Sequence, residues 1–524
     1  MTKAERYRKQ AETLRAKAER DEAALRVDVI GKIKALSGVG VSNYPAIGKA
    51  LWPWEEVSAD AAYLNTISEL RSKSRRLYNS SPIATGLIDT ATTNVIGRGL
   101  RLQANIDREY LSARLGWTDD EFDAWEDETE RQFEAYWNST DCDYSRKLTG
   151  PGLERLLYSN VLVDGDCLAI FRGGVNDRSI QLIPAQNIGN PNRSANTETM
   201  REGVEIDPAN GREQAYYVES VNRLNSMPVF TRVPAFGART GRRLAILISR
   251  RRYIGQSRGV PFTAPVMHII RTLSDYMEAE KIRAKVSSLF AIFVRSRQAD
   301  QSNPLAAAIE DLNEVNSSGQ RKSVYNIEPG AVIPLDKDDE GIDFANPNAP
   351  NSNYAAFVDA GLREIGFGVQ IPKSTFTKEN SASYSAAKGD RMEAFRFFFT
   401  ERAEIVAQFH RTVYQNFLMD RIFSGRINAP GFFEDEDIRN AFSVATWDGE
   451  TPGQIDPTKD TQGAQLRNQG FYTTMTSEAA AVGQDFRRNV RRAKREKAMI
   501  EKAGLTVPAY LTGQAIAVPG GVMQ

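Results

Sequence analysis

The stretch Ser249–Arg297 constrains the fold of this chain most, because a cluster of arginines leads there into a glycine-rich turn and then into a long helical pattern. Gly255 and Gly259 flank Arg258 in the turn. Glycine adopts left-handed backbone conformations without the steric penalty that a side chain brings. We therefore expect a tight turn around Arg258 that opens a long helix.

The helix after this turn is predicted to span 263–288. Pro261 and Pro265 are compatible only with the first turn of a helix, so the helix should begin near Thr263. The apolar residues that follow, mostly at steps of three and four, are Val266, Ile269, Ile270, Leu273, Met277, Ile282, Val286 and Leu289. This spacing is typical of an amphipathic helix, which would be roughly 39 Å long. The apolar run Leu289–Val294 predicts a strand directly after it.

Short motifs form an ordered set along the chain. They are Ser80-Ser81-Pro82, Gly86-Leu87-Ile88-Asp89, Asn94-Val95-Ile96-Gly97-Arg98-Gly99-Leu100, Asp164-Gly165-Asp166, Gly203–Asp207, the turn Gly255–Pro261, Tyr276 with Glu280, Tyr384–Lys388 and Gly453–Pro457. In this order, over roughly Leu77 to Phe486, they resemble the portal proteins of lambda-type tailed bacteriophages. Lys388 stands where that family usually has Arg, Asp166 stands where it usually has Glu, and the family's His before the turn is absent.

The resemblance implies an α+β portal fold, mostly helical and ring-forming, with wing, stem, clip and crown regions and with long stem and wing helices. Portal proteins form a ring, generally of twelve subunits, at one vertex of the capsid, and double-stranded genomic DNA is packaged and ejected through its channel. A terminase motor, which holds the ATPase, docks first, and head-completion and tail connector proteins bind later. The implied location is the virion, after assembly in the host cytoplasm, with the major capsid protein or a scaffold as a further partner.

The resemblance also implies a division of the chain into regions. In chain order these are an N-terminal helical arm and loop (1–53), an α+β wing (54–262), a first stem helix (263–288), an α/β clip (289–353), a second stem helix (354–367), a tunnel loop (368–385), a long wing helix with the following loop (386–440), crown helices (441–504) and a flexible C-terminal tail (505–524). Periodicity predicts individual elements within them. These are a helix over 306–316, paired strands over 323–327 and 332–335, and helices over 386–424, 456–470 and 485–504.

The tunnel loop and the clip contain the residues that we expect to contact partners. The segment 368–383 is longer than a typical connection between helices, and long loops in compact chains are usually functional or disordered. Its predicted DNA-contacting residues are Lys373, Ser374, Thr375, Lys378 and Asn380. Glu379 partly offsets the charge of Lys378, and ordinary solvation explains lysines on a loop nearly as well. The clip is predicted to bind terminase through an acidic tip made of Asp336, Asp338, Asp339 and Glu340.

The charge of the chain fits a channel that passes DNA without holding it. Lys plus Arg and Asp plus Glu each number 67, whereas a strongly cationic wall would stall movement because each contact with a phosphate adds affinity. Cys142 and Cys167 are the two cysteines, so we expect no disulfide framework and a reducing cytoplasm. The charged N-terminus lacks the apolar core of a signal peptide, and the longest apolar runs are too short to cross a bilayer.

The residues do not favour an enzyme, a cofactor or a metal site. His268 and His410 lie in predicted helices, where histidine is usually packed or half-exposed, and no Cys/His cluster has metal-ligand spacing. The sequence contains neither a Gly-x-x-x-x-Gly-Lys-Ser/Thr loop nor a Gly-x-Ser-x-Gly elbow. Asp164 and Asp166 could bind a cation, but two carboxylates beside a glycine more often cap a turn. Two other classes stay open: a nucleic-acid motor or nuclease, and a structural capsid or scaffold protein without a channel.

Overall fold

The computed structural model describes residues 60, 63–64, 66–175, 177–221, 228–296, 313–315, 321–323, 331–336, 341–343, 353–379, 383–452, 457–484 and 486–508; within 285–343 and at residues 221, 384 and 457 the description covers the backbone alone. The chain divides into two compact units: the first contains Met1–Met267 and Val369–Gln524, and the second contains His268–Gly368. The predicted N-terminal arm and most of the predicted C-terminal tail lie outside the described residues. Among the helices that are described, none combines the length and the apolar character needed to cross a membrane.

The first unit combines helices with short antiparallel sheets, so the α+β class expected from the sequence is confirmed. The first helices among its described residues are α1 (Ile67–Ser80), α2 (Pro82–Val95), α3 (Arg108–Leu115), α4 (Asp119–Trp137) and α5 (Gly150–Asp164). The start of α4 shows a local cause of helix formation: Thr118 accepts a hydrogen bond from the Glu121 backbone N–H, and the Glu121 carboxylate accepts one from the Thr118 N–H. The aromatic residues on the buried face of α4 are Phe122, Trp125, Phe133 and Trp137.

Two sheets of the first unit share one hydrophobic core. Their strands are β2 (Asp166–Arg172), β3 (Ser179–Pro184), β4 (Met200–Arg201), β5 (Val204–Ile206), β6 (Glu213–Val221), β7 (Pro228–Pro234) and β8 (Ala245–Ser249), and β1 (Arg101–Ala104) precedes them. One sheet has the order β3-β2-β8 and the other β4-β5-β6-β7, all antiparallel. The core residues include Leu168, Ile170, Val204, Tyr216 and Leu247. Every residue of β2 except the last is buried, so this strand is the centre of its sheet.

The second unit contains two helices that pack antiparallel, α6 (Met267–Leu289) and α7 (Tyr354–Val369). The ring of Tyr276 on α6 stacks on that of Tyr354 at 5.8 Å between centroids and lies 4.5 Å from that of Phe357. Earlier in α6, Leu273 lies close to Gly361, where a Cβ atom would be 3.3 Å from the leucine methyl groups. Contacts that move back along α6 as they move forward along α7 define the antiparallel arrangement.

The helix α6 begins four residues later than Thr263, the start expected from the sequence. Residues 262–266 form turns instead, in which the Ala264 N–H donates to the Pro261 carbonyl and the Val266 N–H donates to the Thr263 carbonyl. The physical reason is Pro265, which has no N–H to donate to a carbonyl four residues earlier. The prolines therefore delay the helix rather than forming its first turn.

The second unit also contains short strands among its described residues. They are β9 (Phe290–Ser296), β10 (Asn313–Val315), β11 (Arg321–Ser323), β12 (Ala331–Asp336) and β13 (Gly341–Asp343). The strand expected after α6 is confirmed as β9, which pairs in parallel with β12 and antiparallel with β13. The strand expected over 332–335 is confirmed within β12, but residues 324–327 lie outside the described residues, so its pairing with 323–327 stays a prediction. The helix expected over 306–316 is wrong at β10.

The chain returns to the first unit in a run of helices. They are α8 (Lys373–Thr377), α9 (Tyr384–Ile405), α10 (Arg411–Phe423), α11 (Glu436–Phe442), α12 (Pro457–Gln469), α13 (Met475–Ala481) and α14 (Phe486–Lys502), and β14 (Ala445–Asp448) pairs antiparallel with β1. The long helix expected over 386–424 is present, but a π-helical turn, Val406–His410, separates α9 from α10. The helices expected over 456–470 and 485–504 are confirmed as α12 and α14.

Candidate functional site

The predicted tunnel loop contains a short helix rather than an unstructured connection. Phe376 on α8 is 7% exposed, and Ile371 just before the helix is fully buried. The helix packs against α2 and α9. The length of 368–383 suggested a functional or a disordered loop, and the disordered alternative is wrong for α8 because two apolar side chains, buried away from water, hold it on the first unit.

Two of the predicted DNA-contacting side chains are engaged within the first unit. The Nζ atom of Lys373 lies 2.7 Å from Oε2 of Glu379. The Ser374 hydroxyl donates to Oδ2 of Asp390 at 2.7 Å. Glu379 therefore offsets the charge of Lys373, whereas the sequence suggested that it would offset Lys378.

Two further predicted residues, Thr375 and Lys378, line a pair of adjoining clefts in the first unit. Lys378 follows α8 in a left-handed conformation, with φ 58°, and its side chain is exposed. The clefts have volumes of about 500 and about 560 Å³, and Asn94, Thr375 and Lys378 line both. Asn380 lies outside the described residues. The structure thus brings Thr375 and Lys378 to one open polar surface.

The predicted acidic tip of the clip falls mostly outside the described residues. Asp336 is the last residue of β12 and is described by its backbone. Asp338, Asp339 and Glu340 lie in the segment between β12 and β13 that the structure does not describe. The role of the acidic tip therefore stays a prediction.

The turn before α6 is built around a buried ion pair that the sequence analysis missed. The guanidinium of Arg258 has no exposed surface and meets Asp166 at two points: Nε donates to Oδ2 at 2.8 Å, and Nη2 donates to Oδ1 at 2.9 Å. Its remaining N–H groups donate to the carbonyl groups of Ala185, Ile188 and Glu202. One arginine thus connects the turn, the start of β2 and two loops of the first unit.

Two arginines on α1 extend this cluster. Arg71 donates to Oδ2 of Asp166 at 2.8 Å and to the Asp164 carbonyl at 2.9 Å, and Arg75 donates to both carboxylate oxygens of Asp164, at 2.7 and 2.6 Å. Burial lowers the pKa of Arg71 to about 10. Burial also acts to raise the pKa of Asp166, but the charges of Arg258 and Arg71 outweigh it and hold this pKa below its usual value. Both carboxylates bind guanidinium groups, and Oδ2 of Asp166 also accepts a hydrogen bond from the Gly259 N–H at 2.9 Å, so the turn-capping role favoured from the sequence is confirmed for Asp166.

Two glycines allow the chain to pass through this cluster. A Cβ atom at Gly259 would overlap the carbonyl oxygen of Gly165, and a Cβ atom at Gly165 would lie 2.5 Å from the Gly259 carbonyl group. Gly165 has a positive φ of 92°, and Gly255, at the other side of the turn, has a positive φ of 79°. The left-handed turn expected from the sequence is therefore confirmed at Gly255, while Gly259 is required for space rather than for its φ.

Asp60 holds the same turn from the other side. Its Oδ1 accepts a hydrogen bond from the Ser257 N–H and its Oδ2 accepts one from the Ser257 hydroxyl, both at 2.7 Å. Arg201, just before β5, donates to Oδ2 at 2.7 Å. Because charged and polar groups fix both sides of Arg258, the backbone that leads into α6 has one arrangement.

A second buried polar group lies where α5 passes the π-helical turn. Glu154 accepts hydrogen bonds from Trp137 Nε1 and from the Leu100 N–H, each at 2.9 Å, and its Oε1 is 2.9 Å from His410 Nε2. Glu154, His410 and Trp137 are all buried. The expectation that His410 is a packed residue is therefore confirmed, and the π-helical turn that ends at His410 places its ring against α5.

The other residues with potential for chemistry lie apart from these clusters. His268 is exposed, and Cys142 and Cys167 are buried and unpaired by disulfides. Burial raises the pKa of the Cys142 thiol to about 12 and that of the Cys167 thiol still further. In the part of the chain that the structure describes, no group of three or more His, Cys, Asp or Glu residues could hold a metal ion.

The chain is similar in sequence to known proteins. A family model described as phage portal protein, lambda family, matches residues 48–402. The chain is 23% identical over 484 residues to the portal protein of Escherichia phage N15 and 22% identical over 492 residues to portal protein B of Escherichia phage lambda, and each alignment covers 88% of this chain and 89% of the relative. A solved structure of the neck of a native gene transfer agent particle aligns with TM-score 0.40 at 10% identity, over 80% of this chain and 94% of the other.

Proposed function

The chain belongs to the lambda family of phage portal proteins, and from this premise we propose which of its parts line the channel and which bind partners. As a portal protein it is a component of the virion and forms the channel at the unique vertex of the capsid, through which genomic DNA is packaged and ejected. The observation that carries this function is the family match over 48–402, which includes the turn around Arg258 and both helices of the second unit. Its role is structural, and we propose that ATP hydrolysis is left to terminase.

The ring follows from the family, and we propose that it contains twelve subunits. A ring needs a heterologous interface, in which one surface of a subunit meets a different surface of the next. Exposed apolar side chains occur on both units, including Ile254, which is fully exposed in the Gly255 turn, and Phe367 on α7, which is 89% exposed. Large apolar side chains left in water favour association, so we propose that such residues are covered by neighbouring subunits.

We propose that α6 and α7 are the two stem helices and that 289–353 is the clip. The antiparallel contact between Tyr276 and Tyr354 supports the stem, because a hairpin of two helices projects the segment between them away from its base. The sheet of β9, β12 and β13 is that segment. We propose that its acidic tip, made of Asp336, Asp338, Asp339 and Glu340, binds terminase first and head-completion proteins later through charge complementarity.

We propose that 368–383 narrows the channel and touches DNA without sequence preference. The short polar side chains and the exposed Lys378 support this role, because contacts with phosphates position a protein on DNA without reading bases. The ion pair of Lys373 with Glu379 limits the positive charge that α8 presents. A weakly charged contact suits a duplex that has to slide, since each strong contact with a phosphate would slow it.

Electron microscopy of the purified protein, combined with native mass spectrometry, tests the ring. Class averages should show closed rings, and the mass should correspond to twelve subunits. A stable monomer at micromolar concentration in physiological salt, without rings, would contradict the proposal. Icosahedral or sheet-like assemblies would instead favour a shell or scaffold protein, and ATPase or nuclease activity of the purified chain would favour a motor or nuclease.

A further inference from the structure

The last described helix of the first unit, α14, carries a charge pattern that the channel function does not explain. It contains eight Lys or Arg residues and two Glu residues among 17, although the chain as a whole has equal numbers of basic and acidic residues. No residue of α14 is buried, so apolar packing does not account for where it lies. The charged side chains of α14 must therefore contribute much of the energy that holds the helix in place and of the energy with which it binds other molecules.

Three of the eight basic residues of α14 lie close to acidic side chains of the same unit. Arg487 forms an ion pair with Glu126 and lies 3.7 Å from Asp123, Arg488 lies 3.7 Å from Glu134, and Arg491 forms an ion pair with Asp127. All four acids belong to α4, which has nine acidic residues and one arginine. The contact shows that the N-terminal half of α14 lies on an acidic surface.

The basic surface continues beyond the last of these ion pairs. Residues three, four and seven apart lie on one face of a helix, so Lys494 and Arg495 continue the stripe of Arg491, Arg492 continues that of Arg488, and Lys502 lies on the same face as Arg495. All four side chains that follow Arg491 on this stripe are exposed, and none forms an ion pair with any residue that the structure describes. From Arg491 to Lys502 the stripe is roughly 16 Å long.

We propose that this stripe, made of Arg492, Lys494, Arg495 and Lys502, binds the phosphate backbone of duplex DNA. A duplex presents one negative charge per about 1.7 Å along its axis, and the exposed stripe is a row of positive charges along one helix. This row is complementary in sign and shape to a phosphate backbone. The inference rests on the channel function in taking duplex DNA as the polyanion that the protein meets, and it concerns a surface separate from α8.

Salt-dependent binding of assembled rings to a short fluorescent DNA duplex tests the proposal. Neutralising phosphates releases counterions, so the slope of log K against log salt changes by about 0.9 for each phosphate contact removed. The triple variant Arg492→Ala, Lys494→Ala, Arg495→Ala should therefore make the slope shallower by about 2.7, and Lys494→Gln alone should change it by about 0.9. The matched control is Arg76→Ala, Arg155→Ala, Arg239→Ala, which removes three exposed arginines elsewhere on the first unit and should leave the slope unchanged.

Three outcomes would overturn the proposal. The slope could stay as in the parent protein, the control variant could change it equally, or the α14 variant could lose binding to poly-glutamate while keeping its binding to DNA. The last result would assign the stripe to an acidic protein. Rings are checked by microscopy before binding is measured. A failure of the parent protein to form rings would contradict the portal function. An unchanged slope in intact rings would contradict only the proposal for α14.

Discussion

Arg258 and Asp166 form a two-point ion pair in which neither side chain has any exposed surface, with donor–acceptor distances of 2.8 and 2.9 Å. The pair joins residues 92 positions apart and fixes the turn before α6 to the start of the central strand β2. A buried ion pair gives little net stability compared with apolar residues of the same size, but removing one partner leaves a charge uncompensated. The pair therefore specifies one arrangement of the chain at the base of α6.

Replacing Asp166 with Asn should destabilise the first unit strongly. The change removes the carboxylate that pairs with both Arg258 and Arg71, and breaking a buried pair in this way costs about 3–5 kcal/mol. Urea unfolding followed by tryptophan fluorescence measures the loss, because all six tryptophans belong to the first unit. The control is Asp141→Asn, which breaks an exposed pair with Arg146 and should cost no more than about 1 kcal/mol. Equal losses in both variants would show that the burial of the pair has no energetic consequence.

The same carboxylate should make the first unit sensitive to acid. The folded pKa of Asp166 lies below its ordinary value of 3.8, so its stabilising contribution is fully present above that value and is lost as the pH falls through the lower folded pKa. The difference in unfolding free energy between the parent protein and Asp166→Asn should therefore be constant at neutral pH and shrink below about pH 4. Urea unfolding at a series of pH values measures it, and a difference that grows toward acid would contradict the sign.

The stability of the buried cluster around Glu154 should depend more on the hydrogen-bond acceptors of this side chain than on its negative charge. Glu154→Ala removes the acceptor of Trp137 and of the Leu100 N–H and the neighbour of His410, and unsatisfied buried donors cost about 1–3 kcal/mol each. Glu154→Gln keeps one carbonyl oxygen in place and should lose clearly less stability. Thermal unfolding of both variants makes the comparison. Equal losses would show that the negative charge, rather than the acceptor geometry, is what the cluster needs.

Sequence reasoning succeeded where the determinants are local. The periodicity of apolar residues located α6, the run from α9 to α10 and α14 to within a few residues, and the glycine at 255 marked a left-handed turn. These features depend on residues within one or two turns of each other, so spacing and conformational preference were sufficient.

The errors occurred where distant residues decide the outcome. The charges of Arg258 and Asp166 were visible, but nothing in their spacing indicates that they meet. The parallel pairing of β12 with β9 places Ala331 beside Phe290, far apart in the chain. The helix α8 forms in a polar segment because Phe376 finds a buried position against α2, which lies almost 300 residues earlier in the chain. Tertiary contacts of this kind override local preference.

The two lysines of the predicted tunnel segment should contribute unequally to DNA handling. Replacing both Lys373 and Lys378 with Ala should leave rings and capsids intact but alter the efficiency of packaging or the retention of packaged DNA. Lys378→Ala alone should reproduce most of this effect, because Lys373 lies 2.7 Å from the Glu379 carboxylate while Lys378 is exposed at the shared edge of two clefts. Packaged DNA protected from nuclease measures efficiency, and loss of DNA from heated capsids measures retention.

The effect of the position of α8 on packaging can be distinguished from the effect of its charge by a substitution that moves the helix. Phe376→Ala removes the buried anchor of the helix, and deleting a buried phenylalanine side chain costs about 3–5 kcal/mol. It should impair packaging with both lysines present, whereas Lys373→Ala alone should have little effect. If the double lysine variant packages and retains DNA like the parent protein, the assignment of this segment to the channel wall is wrong. If Lys373→Ala is as harmful as Lys378→Ala, the dominant role of Lys378 is wrong. Because Lys373 and Phe376 lie on α8 and Lys378 directly follows it, the comparison distinguishes a helix that contacts DNA from one that serves only to connect α7 with α9.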